Sequence, residues 1–198
     1  MRITFLTLMS VLLLTSCAKQ NVSNETTAGD FPVGQPMPEA REIQEAEKSQ
    51  PTLPHLRPGE FSLSPDLQHL DPNKIVPQKA FQRALTFYQK YRAQFKNQRF
   101  LGIVDFTQVS AKKRFYLINL ISGDVIQFLV AHGKNSDPNA DGLATAFSNI
   151  PESLKSSLGA YMVAETYVGQ HGYSVRLDGL QSTNSNARSR SIVIHPAD

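Results

Sequence analysis

With 198 residues, 40% of them hydrophobic, the chain can bury the core of one domain and carry appendages beside it. A formal charge of only +3, with no Lys/Arg cluster interleaved with aromatics, argues against nucleic acid as a partner. A single cysteine excludes an internal disulfide framework, and no apolar run beyond the leader is long enough to span a bilayer.

The chain opens on the basic Met1-Arg2 and an apolar stretch from Ile3 to Leu14, interrupted by Thr4, Thr7 and Ser10. Small residues Thr15-Ser16 then precede Cys17, the layout of a secretory signal. Leu14-Thr15-Ser16-Cys17 also resembles the bacterial lipobox, in which the cysteine thiol receives a diacylglycerol and becomes the first residue of the mature chain. An ordinary signal peptide with an incidental cysteine is the plainer alternative. The lipobox implies that residues 1–16 are a lipoprotein signal peptide and that Cys17 is a lipid attachment site. Each buried methylene contributes about 0.8 kcal/mol, so more than one acyl chain gives lasting attachment. Ala18-Lys19 follows, without an aspartate that would suggest inner-membrane retention. The expected location is the periplasmic face of the outer membrane of a Gram-negative bacterium. A thioether sulfur at Cys17 is no nucleophile.

From residue 17 to 76 the composition turns to Pro, Ser, Asn, Gln, Glu and Thr, with prolines from Pro32 to Pro72 denying regular structure. This segment reads as a disordered, lipid-anchored tether with a flexible-coil span of roughly 40 Å. Glu39 to Lys48 is compatible with a short charged helix. An N-terminal subdomain docked through Phe61, Leu63, Leu67 and Leu70 is the alternative.

The folded domain is expected over residues 77–198. Pro77 suits the first position of a helix, and Phe81, Ala84, Leu85, Tyr88, Arg92 and Phe95 recur at three- and four-residue steps as its inner stripe. Strands are predicted at 100–106, 114–120 and 125–131, the last two joined by a turn at Ser122-Gly123-Asp124. Further short strands are predicted at 161–166, 174–177 and 192–195, with Ser-, Asn- and Gly-rich loops between them. The fold class is mainly β, mostly antiparallel, with at least one packed helix (α+β).

Three histidines fall in loops or near strand ends: His132, His171 and His195. None has a partner at metal-ligand spacing and no cysteine assists, so neither a metal nor another cofactor is expected. There is no Gly-x-Ser-x-Gly elbow for a serine nucleophile. Asp105, Glu165 and Asp178 lack the arrangement that would mark a paired-carboxylate glycosidase and read as structural residues.

Read together, eight motifs in order carry a resemblance. They are 113–120 (Lys-Arg-Phe-Tyr-Leu-Ile-Asn-Leu), 130–136 (Val-Ala-His-Gly-Lys-Asn-Ser), 146–149 (Ala-Phe-Ser-Asn) and 156–159 (Ser-Ser-Leu-Gly), then 167–174 (Tyr-Val-Gly-Gln-His-Gly-Tyr-Ser), 176–180 (Arg-Leu-Asp-Gly-Leu), 186–188 (Asn-Ala-Arg) and 192–195 (Ile-Val-Ile-His). The order resembles the murein L,D-transpeptidase catalytic domain family, a branch of the YkuD-like enzymes, over about residues 78 to 198. The resemblance implies cysteine-based acyl transfer on peptidoglycan stem peptides. A thiolate attacks the diaminopimelate carbonyl of a tetrapeptide, D-alanine leaves, and the thioester passes to an amine or to water. It assigns the general base to His195 and makes Ser148, Asn149, Arg176 and Arg188 candidates for the substrate groove, with His132 and His171 either substrate-groove or loop-shaping residues. Two departures stand out. Pro196 replaces the family's usual glycine after the histidine, and the Ser-x-Gly-Cys loop that should follow is not reached before Asp198. The expectation is therefore an L,D-transpeptidase-like β domain lacking its C-terminal part, inactive as written for want of the nucleophile. The alternative is a non-enzymatic peptidoglycan-binding lipoprotein.

Overall fold

The computed structural model describes the backbone of one N-terminal strand, β1 (Val11–Thr15), and residues 61–196. Helix α1 runs over Gln78–Tyr91 with Pro77 as its N-cap, and the Phe81 N–H donates to the Pro77 carbonyl at 3.0 Å. Its buried face is Ala80, Ala84, Leu85, Phe87 and Tyr88. Phe87, fully buried, is missing from the predicted stripe because the inner face is wider than a strict three-four repeat. Arg92 leaves that stripe instead. It begins a 3-10 turn, Arg92–Gln94, and its guanidinium pairs with Asp66 at the surface.

The strands are β2 (Phe100–Asp105), β3 (Phe115–Asn119), β4 (Val125–Phe128), β5 (Gly159–Gly169), β6 (Gly172–Gly179) and β7 (Val193–Ile194). They form one seven-stranded sheet in the order β4-β3-β2-β1-β5-β6-β7. Two antiparallel groups, β4-β3-β2 and β5-β6-β7, meet across β1, which is parallel to β2 and antiparallel to β5. The β3–β4 hairpin turns at the predicted place, with Gly123 at φ +83°, a conformation costly for any residue with a Cβ. The predicted strands at 161–166 and 174–177 are longer than expected. They are the two arms of one hairpin whose loop is only Gln170-His171, closed by Gly172 at φ +80°. A bulge between Val163 and Thr166 inserts one extra residue in β5 opposite β6.

The sheet is packed on both faces. On one lie α1 and residues 61–76, which enclose Leu101, Ile103, Tyr116, Ile118 and Ala160. On the other, Val104, Phe106, Tyr161, Val163 and Leu177 gather with Ala144 and Ala187 from the loops. Leu67, Leu70 and Val76 are buried and Phe61 and Leu63 pack beside them, which corrects the tether boundary at residue 76. The apolar residues between the prolines find a surface that local composition does not reveal. The rest of the expected tether, residues 17–60, lies outside the described residues, as does Cys17.

Candidate functional site

Strand directions decide which candidates can meet. β5 and β7 run the same way, so the β5–β6 turn and the end of β7 share one edge of the sheet. β2 runs opposite to β5, so the loops after β2 and β4 lie at the other edge.

At the first edge His195 follows Ile194 directly and His171 sits in the hairpin turn. Their rings stack with centroids 4.6 Å apart and planes 23° from parallel. Nδ1 of His195 lies 2.7 Å from the Pro196 carbonyl oxygen. A carbonyl can only accept, so the proton is on Nδ1 and the Nε2 lone pair is left available. The proline that costs this position an N–H thus supplies the acceptor that sets the tautomer. Both histidines are exposed.

Further along the same ribbon, Arg188 forks between two carboxylates. Its Nε and Nη2 donate to Asp178 at 2.5 and 2.8 Å, and its Nη1 and Nη2 donate to Glu165 at 2.7 and 3.0 Å. Arg176 approaches Glu165 at 3.3 Å and lies over the Tyr167 ring, 4.4 Å from its centroid. The bulge places Glu165 where both cations reach it. The Arg188 hydrogen bond pulls the Glu165 carboxyl down to about 2, and the two carboxylates raise the Arg188 guanidinium above its already high range. Asp178 and Glu165 have no arrangement in the sequence because the bulge creates it.

The structure places His132 at the opposite edge. Its Nδ1 is 2.9 Å from Nη2 of Arg114, which can only donate, so His132 carries its proton on Nε2, 3.9 Å from Asp137. Burial, aided by the Arg114 charge and opposed by Asp137, lowers the His132 pKa. Arg114 itself is fully buried. It donates to the carbonyls of Val130 and Gln108 and packs over the Phe106 ring. Burial lowers its pKa against the pull of Asp105. His132 is therefore a neutral member of a loop-holding network and is not brought to His195.

Ser148 and Asn149 belong to another clamp. The Asn149 amide donates to the Ser182 carbonyl and the Ser185 hydroxyl, and its oxygens accept from Asn186. The Ser148 hydroxyl accepts from the Ile150 N–H, and its carbonyl accepts from Arg190 at 2.7 Å. Arg190 also reaches Lys155 and Ser153. Arg114, Arg190 and the buried Asn184 are absent from the sequence-derived candidates, and most of their partners lie 16 to 42 residues away, too far for spacing to signal them. Among the described residues, no three His, Cys, Asp or Glu side chains group as a metal site requires.

A family model of the L,D-transpeptidase catalytic domain matches residues 72–198, more than half of the chain. The chain belongs to this family. No curated protein and no solved structure matches it. At the His195 edge an imidazole stands beside a second ring and the Arg176–Glu165–Arg188–Asp178 ribbon. The mixed sheet, two antiparallel groups and one helix agree with the expected α+β class.

Proposed function

We propose that the domain binds peptidoglycan stem peptides along the β5–β7 ribbon, with His195 as the general base of L,D-transpeptidation. The observation that carries this reading is the 2.7 Å contact between His195 Nδ1 and the Pro196 carbonyl oxygen. With Nδ1–H held by the Pro196 carbonyl, Nε2 is the nitrogen able to accept a proton. A thiol within hydrogen-bond reach of Nε2 would lose its proton there and attack the diaminopimelate carbonyl. The amine of D-alanine would leave with a proton, and an amine or water would then resolve the thioester.

Cys17 is the single cysteine of the 198 residues. We therefore read this chain by itself as recognising stem peptides without turning them over. A second reading, a non-enzymatic peptidoglycan-binding lipoprotein, is favoured by the lack of a thiol among residues 61–196. The lipobox supports export, acylation at Cys17 and residence on the periplasmic face of the outer membrane. Acylation predicts a lipid mass increment on a peptide beginning at Cys17, lost together with membrane attachment in Cys17→Ala.

Purified sacculi and tetrapeptide muropeptides test the rest. Co-sedimentation with sacculi is expected, weakened in His195→Ala, with no D-alanine detected by mass spectrometry. D-alanine release by the 198-residue chain would overturn the binding-only reading, and failure to sediment would remove both.

A further inference from the structure

At the edge of the sheet opposite His195, a buried cation holds a titratable ring. Nη2 of Arg114 donates to Nδ1 of His132 at 2.9 Å, a contact that exists only while Nδ1 keeps its lone pair. On the other side of the ring, Nε2 lies 3.9 Å from a carboxylate oxygen of Asp137. Among the described residues, Arg114 and Asp137 are the charged groups that act on the imidazole, and Asp105 acts on Arg114 in turn. Asp137 is ionised where a histidine titrates. Burial opposes this, but the Gly142 and Asp141 N–H groups hold its carboxyl below the ordinary value.

Protonation of His132 therefore reverses both contacts. It removes the acceptor that Arg114 uses and sets two cations side by side, while the new imidazolium is drawn to Asp137. Arg114 is fully buried and stays held by the carbonyls of Val130 and Gln108. The histidine is the member that moves.

Its movement carries further along the chain. Gly133 follows directly and is packed so closely that a Cβ there would lie 2.5 Å from the Leu154 carbonyl oxygen. The Gly133 N–H donates to the Ser156 hydroxyl, and the Ser156 N–H donates to the Ser136 hydroxyl. The Asn135 N–H donates to the Leu154 carbonyl, and its side-chain amide donates to the Ser153 carbonyl. Glu152 and Leu154 sit at φ +59° and +55°, a left-handed backbone that is costly for any residue with a Cβ. The second segment is thus strained and is held in place by the first, with Arg190 bonded to Ser153 and Lys155.

We infer that His132 is an acid-sensitive latch: once charged, it leaves Arg114 for Asp137, and segments 133–136 and 153–156 open together while the sheet stays folded. Burial places the folded pKa of His132 below the ordinary 6.5, so the latch is closed above pH 6.5 and releases as pH falls from there through the lower folded value. The latch is independent of the peptidoglycan reading.

Ring nitrogen resonances and amide hydrogen exchange on the full 198-residue chain test it, with exchange taken relative to the intrinsic rate at each pH. At pH 7 the His132 ring should be the neutral Nε2–H tautomer. Between pH 7 and 5 the amides of Gly133, Asn135 and Ser156 should lose protection severalfold. The ceiling is about 25-fold, set by protonation of a freed imidazole at the ordinary 6.5. Amides of β3 and of the β5–β6 hairpin should keep their protection. His132→Gln keeps an acceptor for Arg114 but does not titrate, and its loop protection should be the same at both pH values. Unchanged protection of the three amides at pH 5 would overturn the latch. So would a charged ring or an Nδ1–H tautomer at pH 7, an equal loss in His132→Gln, or a loss that spreads to β3 and the hairpin. All but the third of these are read on the unaltered chain and decide the matter whether or not the variant folds.

Discussion

At the residue scale, His171 and His195 form a pair that neither ring could form from its own strand. Stacked rings contribute about 0.5–1.5 kcal/mol, enough to hold one imidazole in a single orientation. In His171→Ala the His195 ring proton resonances should shift as the neighbouring ring current is lost, while the backbone spectrum of β2–β4 stays unchanged. His171→Phe should retain the stacking and most of the sacculus binding. Unchanged His195 resonances in the alanine variant would show that the rings do not stack in solution.

His132 yields a pH prediction of definite sign. Its folded pKa lies below the ordinary value of 6.5 because burial disfavours the imidazolium. The unfolded chain therefore binds the proton more tightly. The stabilisation is fully present above pH 6.5 and is lost as pH falls from there through the lower folded value. Urea unfolding between pH 7 and 5 should show this loss, and it should be reduced in His132→Gln, which keeps an acceptor for Arg114. Glu165 acts in a more acidic window. Its stabilisation is present above the ordinary value of 4.5 and is lost as pH falls through about 2.

At the scale of elements, the joint between β5 and the turn after β6 is the most constrained. Asn184 is fully buried, donates to the Ala160 carbonyl at 2.7 Å and accepts from the Gln181 N–H at 2.9 Å. Asn184→Ala leaves the Gln181 N–H unpaired and removes one of the two donors to the Ala160 carbonyl, which keeps the Leu180 N–H, with an expected cost of about 1–3 kcal/mol and a lower midpoint in urea. Gly179→Ala acts on the same joint from the other side, since a Cβ there would lie 1.8 Å from the Asn184 carbonyl oxygen. Thermal denaturation should show that variant destabilised by about 1–3 kcal/mol. A variant as stable as the parent would mean that the two segments are not packed together.

The elements also show what was legible in advance. The helix, the β3–β4 hairpin and the position of β2 follow from side-chain periodicity and from one glycine at a turn, all local features. The two-residue turn at Gln170-His171 was not legible as a turn. Nothing local distinguishes a tight loop in a long hairpin from a loose one between short strands. Continuity of β5 is imposed by pairing with β6 along its length and with β1 over its first residues.

At the scale of the molecule, the two core clusters share one sheet, so neither half can lose its strands without exposing the other. We expect a single cooperative unfolding transition, with far-ultraviolet circular dichroism and tyrosine fluorescence coinciding. Tyr88 and Tyr116 report from the helix-side core and Tyr161 from the other. Phe87→Ala, which empties a fully buried site under α1, should lower stability by about 3–5 kcal/mol and move both signals together. Separate transitions would show that β1 does not weld the halves into one unit.

The sequence by itself determined the family and the α+β class. Ordered motifs and apolar periodicity are written in consecutive residues. Only the tertiary structure decided that His171 stacks on His195 and that His132 lies at the opposite edge. It also decided that Arg176 and Arg188 are held by Glu165 and Asp178, and that Val11–Thr15 stands between β2 and β5. Each of these depends on which strand edges meet and in what register. Edge pairing is a property of distant backbone groups finding the same plane, which no single stretch of sequence specifies.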